Sequence, residues 1–318
     1  MLDFLMIIAG LILLFLGGEG LIKGAVSIAR NFGLSKLLVS AVLVGFGTSM
    51  PEMTVSVSAA LEGAPDIAVG NVIGSNIANI LLIVGLAAVI YPISMSGNAV
   101  KRDALVMIAA SLVLCLLALN GLISLAAGIF MFIALLGYVY WSYRLGKTAD
   151  LETSEHIKQD IEGDVQLSPL KAGIFTFFGL ILLIFGAHLL VQGAVSIAQS
   201  FGISEAVIGL TIVAVGTSLP ELATTLVAAI RRHSDVIIGN ILGSNIFNIL
   251  AILGVTAMIA PTPISEQMAK FDVWIMLGVA AFLSAYLLRG LTIGRASGVL
   301  MLLAYVSYTF WLYTMASA

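Results

Sequence analysis

Two glutamates, Glu52 and Glu221, stand inside long apolar stretches of this 318-residue chain, each closing nearly the same six residues: GTSMPE at 47–52 and GTSLPE at 216–221. A second shared block follows each of them, GNVIGSNIANIL at 70–81 and GNILGSNIFNIL at 239–250. The offset is 169 positions throughout, for Glu52 and Glu221, Ser75 and Ser244, and Asn79 and Asn248 alike, so the two copies align without insertion or loss. GAVSIA at 24–29 recurs as GAVSIA at 193–198, which extends the repeat to about half the chain. Each copy supplies one carboxylate, several hydroxyls and a carboxamide, all hard oxygen donors of the kind that hold Na⁺ or Ca²⁺.

A glutamate at the centre of a spanning helix costs about 2.5–3.5 kcal/mol on insertion scales, so an intramembrane acid is read first as a functional residue. Beside the acids, Thr48, Ser49, Thr217 and Ser218 bring hydroxyls. Ser75 and Asn79 are four apart and share a helix face, as do Ser244 and Asn248. Asn71 and Asn240 lie on that face one turn earlier, while Asn76 and Asn245 turn toward helix packing. Pro51 and Pro220 each remove a backbone donor and clash with the preceding turn. With Gly45, Gly47 and Gly216 just upstream, they predict helices broken at mid-span, with the carbonyls of residues 45–48 and 214–217 released toward a cavity.

Hydrophobic residues make up 60% of the chain and charged residues 10%, and the mean hydropathy is +1.13. That leaves too little polar surface for a water-soluble globule and identifies an all-α integral membrane protein whose surroundings are a lipid bilayer. Each span needs about 20 apolar residues. The sequence predicts ten, at 4–29, 36–62, 67–91, 101–119, 122–144, 170–199, 205–230, 235–260, 270–289 and 293–315, the first read as a mature helix and not a cleaved signal. With both termini outside, all but Lys23 and Lys270 of the fourteen Lys and Arg residues fall on the cytoplasmic side. Five spans per repeat is an odd number, so the second half enters the membrane inverted: repeat 1 over 1–145, an acidic cytoplasmic linker over 146–168, repeat 2 over 169–318.

Other polar residues read more plainly. Glu19 and Lys23, four apart, are expected to neutralise one another on one helix. Their repeat counterparts are His188 and Gln192. Asp66 and Asp235 open helices 3 and 8 in an N-cap or dipole role. The GxxxG pairs, Gly70 with Gly74 and Gly239 with Gly243, predict close backbone packing. Cys115 has no partner for an internal disulfide.

These paired motifs resemble the sodium/calcium exchanger family of the calcium/cation antiporters, of the small prokaryotic kind. The resemblance implies that Glu52 and Glu221 are the principal ion ligands. It implies further oxygens from Thr48, Ser49, Thr217, Ser218, Ser75, Ser244 and the positions of Gly45 and Ala214, with Asn79 at a midplane position. Some relatives carry an aspartate where this chain has Asn248, and potassium-dependent relatives use acids at such positions, so K⁺ is not expected as a co-substrate. The implied activity is Na⁺/Ca²⁺ antiport across the inner membrane by alternating access, with helices 1 and 6 sliding over a core of helices 2, 3, 7 and 8. The cargo is Ca²⁺ and Na⁺; no cofactor and no nucleic-acid partner is expected, and the sequence assigns no oligomeric state. An H⁺/Ca²⁺ exchanger, a cation channel and an intramembrane enzyme are the alternatives, in that order.

Overall fold

The computed structural model describes residues 2–149, 167–201 and 214–316. The acidic segment 150–166 of the linker, and residues 205–213 of the seventh expected span, lie outside the described residues.

The described chain is almost wholly helical. In chain order its helices are α1 (Leu2–Phe32), α2a (Lys36–Thr48), α2b (Met50–Leu61), α3 (Pro65–Ile90), α4 (Asn98–Leu119), α5 (Leu125–Ala149), α6 (Pro169–Ser200), α7 (Leu219–Ile230), α8 (Ser234–Ile259), α9 (Met268–Leu288) and α10 (Arg295–Ala316). Among the described residues seven helices are long and apolar enough to cross a membrane, and α2a with α2b, bent by 44°, makes an eighth. Leu, Ile and Phe side chains stand exposed on the outward faces, among them Phe177 and Phe310, an apolar surface that lipid solvates and water does not.

Two faces organise the interior. α8 is buried along its whole apolar length and α3 along most of it, so these two form the centre. α1 and α6 pair antiparallel through glycines spaced by seven, Gly10, Gly17 and Gly24 on one helix and Gly179, Gly186 and Gly193 on the other. A Cβ at Gly10 would come within 2.7 Å of the Gly186 carbonyl oxygen, and one at Gly17 within 2.9 Å of that of Gly179. A seven-residue spacing keeps one seam facing the partner along the full length of both helices. The second GxxxG meets its expectation: Gly239 and Gly243 of α8 lie against Leu37, Ser40 and Ala41 of α2a. Among the described residues, a Cβ at Gly70 would meet Met268 Cε at 3.2 Å and one at Gly74 nothing within 4 Å.

Several local features depart from the expectations. Residue 122 does not begin the fifth helix: Leu122–Ile123 (β1) pairs with Thr262–Pro263 (β2), and Ile93 bridges Ile293 ahead of α10. Each half thereby ties its loop after the third helix to the other half's loop after the fourth. Among the described residues four π-helical turns interrupt the ladders, at Ser40–Val44, Asn79–Val84, Asn248–Leu253 and Met268–Asp272. Nothing in the apolar periodicity marks them, yet two begin at Asn79 and Asn248, and π turns gather at functional positions. Asp66 and Asp235 do not cap their helices. The N-cap residues are Ala64 and His233, with no side-chain cap bond, and both aspartates lie in the first turn, where the helix dipole favours an acid.

Candidate cation-binding site

The bends fall at Ser49 (φ −84°, ψ 8°) and Ser218 (φ −87°, ψ 8°), two residues before the prolines, in nearly identical backbone geometry. Proline tolerates the first positions of a new helix, so Pro51 opens α2b and Pro220 opens α7. Glu52 and Glu221 follow in the first turns, both fully buried. The release of carbonyls expected from these breaks is corrected at two points. The Gly45 carbonyl accepts the Ser49 amide at 3.1 Å and also the hydroxyls of Thr48 and Ser244, each at 3.3 Å; the Val215 carbonyl accepts the Ser218 amide at 3.2 Å. The chain bends with these bonds kept, because proline removes the donor at 51 and 220 and not at 49 and 218. Ala214 begins a short helical turn, Ala214–Gly216, ahead of that bend.

Across the centre the halves exchange hydrogen bonds. Ser49 Oγ donates to Glu221 Oε1 at 2.8 Å, and Ser218 Oγ donates to Glu52 Oε1 at 3.0 Å. Each carboxylate is thus held by the serine of the opposite repeat. Ser218 Oγ also lies 3.4 Å from Ser75 Oγ, which carries the chain of hydroxyls onto α3. Thr48 Oγ1 bonds the Val44 carbonyl at 3.1 Å and Asn240 Oδ1 at 3.3 Å. Asn71 and Asn240 send their amide groups to the Glu52 and Glu221 carbonyls, at 3.1 and 3.5 Å, and to Ser56 and Thr225, at 2.9 and 3.0 Å. Those bonds brace the first turn that carries each acid.

The second oxygen of each glutamate, Oε2, is buried and without a hydrogen-bond partner among the described residues, and so are Asn79 Oδ1, Asn248 Oδ1 and Thr217 Oγ1. A buried carboxylate oxygen left unpaired costs several kcal/mol, roughly 2–7 even for a neutral polar group. The glutamate and asparagine oxygens occur once in each half, whereas Thr48, the counterpart of Thr217, is hydrogen-bonded. Two acids carry the charge that balances one divalent ion.

The expected Glu19–Lys23 pair forms, and a second partner joins it. Lys23 Nζ lies 3.5 Å from Glu19 Oε2, but Arg231, from the other half, places both Nε and a terminal nitrogen 2.8 Å from Oε1. The shorter bonds come from a residue 212 positions away, which a same-helix reading overlooks. This ion pair borders a cavity of about 360 Å³ between α1, α6 and α7 that none of the site residues lines. Outside the shared motifs, Asp103 and Asp272 are buried acids 169 apart, bonded to Arg102 at 2.7 Å and Tyr308 at 3.1 Å. Their recurrence at the common offset was the available signal.

The family profile described as sodium/calcium exchanger protein matches residues 2–144 and 171–314, nearly the whole chain in two stretches. The chain belongs to the sodium/calcium exchanger family. It is 32% identical to the inner membrane protein YrbG of Escherichia coli, over 96% of both chains. It is 31% identical to the sodium/calcium exchanger MaX1 of Methanosarcina acetivorans, over 96% of this chain and 97% of the other. Among solved structures, the sodium-calcium exchanger NCX_Mj soaked with 2.5 mM Na⁺ and 0.1 mM Ca²⁺ superposes with a TM-score of 0.83. That match is 31% identical and covers 96% of this chain and 97% of that one. This exchanger-family chain is accordingly a multi-pass membrane protein of a cation antiporter family.

Proposed function

We propose that this protein is a secondary antiporter that moves Ca²⁺ outward across the inner membrane in exchange for Na⁺, at one site shared by two inverted five-helix repeats. In this reading the membrane is crossed ten times, with residues 1–145 and 169–318 as the repeats, 146–168 as the cytoplasmic linker, and both termini outside. The observation that carries the proposal is the reciprocal pair of serine-to-glutamate bonds, which leaves one oxygen of each acid buried and unpartnered. Ser49 and Ser218 fix one oxygen of each carboxylate. The free oxygens face a cation, together with hydroxyls of Thr48, Thr217, Ser75 and Ser244, the amides of Asn79 and Asn248, and backbone near Gly45 and Ala214.

Exchange follows from charge. Two buried carboxylates repel one another unless positive charge sits between them, so a cation must occupy the pair for the site to cross the membrane closed. Either Ca²⁺ or Na⁺ supplies that charge, and the two compete for the same oxygens. Alternating access requires the α1 and α6 pair to move against the core, and their glycine seam lets them travel together. The chemistry is transport and no bond of a substrate is broken, so the protein is not an enzyme.

The test is ⁴⁵Ca²⁺ uptake into proteoliposomes under matched outward gradients of Na⁺, K⁺ or H⁺. Uptake is expected with the Na⁺ gradient and not with K⁺ alone. Uptake driven equally well by a proton gradient in Na⁺-free buffer would assign the protein to H⁺/Ca²⁺ exchange. Flux needing no counter-ion would make it a channel.

A further inference from the structure

Asn76 and Asn245 stand one residue past Ser75 and Ser244 and contact the opposite half. Asn248 Nδ2 donates to Asn76 Oδ1 at 3.1 Å, and Asn79 Nδ2 donates to Asn245 Oδ1 at 3.0 Å. On its other side the Asn76 amide nitrogen meets the Asn245 backbone carbonyl at 3.5 Å and Met276 Sδ at 3.6 Å. The Asn245 amide nitrogen likewise meets the Asn76 carbonyl at 3.4 Å and Met107 Sδ at 3.6 Å. Met107 and Met276 are themselves 169 apart, so the whole arrangement is present twice.

We propose that Asn76 and Asn245 are positioning residues that fix the amide polarity of Asn79 and Asn248, so that both present a carbonyl oxygen and not an NH₂ group to the transported cation. The proposal rests on the reading of the site given above and assigns a role to residues outside its ligand set. The logic is one of donors and acceptors. A backbone carbonyl and a thioether only accept, so the side of Asn76 that faces them must be its NH₂. Its Oδ1 is then aimed at Asn248, which must answer with its own NH₂, leaving Asn248 Oδ1 unpartnered and buried. Turning over any one amide sets oxygen against oxygen or NH₂ against NH₂. The backbone supplies the anchor: the π turns start at Asn79 and Asn248, whose amides bond the carbonyls of both the third and fourth residues before them, including those of Asn76 and Asn245. At that change of ladder the carbonyls of 76 and 245 remain accessible to the opposite half.

An amide that turned over would put two positive hydrogens where the cation sits, so the orientation matters more than the presence of asparagine. A carboxylate at 248 would need no such control, since it offers oxygen on both sides. This gives a discriminating experiment: apparent Ca²⁺ affinity from ⁴⁵Ca²⁺ uptake into Na⁺-loaded proteoliposomes, for Asn76→Leu alone and in an Asn248→Asp background. Asn76→Leu is expected to weaken Ca²⁺ affinity about tenfold in the native background and by less than about threefold beside Asn248→Asp, because the two effects are coupled. Equal losses in both backgrounds, with matching drops in melting temperature, would make Asn76 a packing residue and overturn the proposal. No loss in either background overturns it too. If Asn76→Leu does not fold, Asn76→Ser and the symmetric pair of Asn245→Ser with Asn79→Asp carry the same comparison. Failure of the underlying site reading shows separately, as unchanged affinity in Glu52→Gln.

Discussion

Glu52→Gln and Glu221→Gln are each expected to lower apparent Ca²⁺ affinity by about a thousandfold or more, while the folded protein is recovered in normal yield. Glutamine keeps the shape of the side chain and can still accept from Ser218 or Ser49 at its oxygen, so the reciprocal bonds survive in form. What it removes is one negative charge beside a dehydrated divalent ion. At about 4 Å and an effective dielectric of about 20, each unit charge pair is worth roughly 4 kcal/mol, and a thousandfold change needs about 4. Folding should gain, if anything, because each variant removes one of two fully buried acids. The expected pattern is lost transport with an unchanged or raised melting temperature. Retained Ca²⁺ uptake in either variant removes the acids from the ligand set.

The second large effect is one of packing. Gly243→Val is expected to cost at least about 3 kcal/mol and to lower the melting temperature by roughly 6 °C or more, with loss of folded yield. A Cβ at this position falls directly on the Ala41 backbone in the π turn of α2a, and backbone cannot swing aside as a side chain can. The neighbouring Gly239 is held against Ser40 and the Leu37 carbonyl in the same way, at 2.7 and 2.8 Å. Gly278→Val in α9 is the control, since a Cβ there meets nothing within 4 Å. Equal thermal stability of the two variants would show that α8 does not need this close approach to α2a.

The sequence carried much of this because the repeat is exact in register. Glu52 and Glu221 were legible as a pair because a buried acid is costly and this one occurs twice. The prolines located the bends to within two residues. What it could not carry was which donor meets which acceptor across the two halves. Glu19 pairs with Lys23 as same-helix spacing predicts, but Arg231, which reaches it from the other repeat, leaves no mark in the sequence. Asn76 and Asn245 were read as packing residues because they fall one position off the ligand face. They do leave that face, but what they pack against is the opposite half's asparagines. The π turns were invisible because they alter hydrogen-bond register without altering apolar periodicity. The released carbonyls were over-read: proline removes a donor at its own position, and Gly45 keeps its bond to Ser49.

The most direct measurement is anomalous scattering from crystals of the protein soaked with Sr²⁺ as a heavy analogue of Ca²⁺. A single strong peak is predicted between the two repeats, in direct contact with oxygens of both Glu52 and Glu221 and slightly farther from them than the about 2.3–2.6 Å typical of Ca²⁺. A peak bound by only one of these acids, or by neither, in protein that still exchanges Ca²⁺ would contradict a shared site.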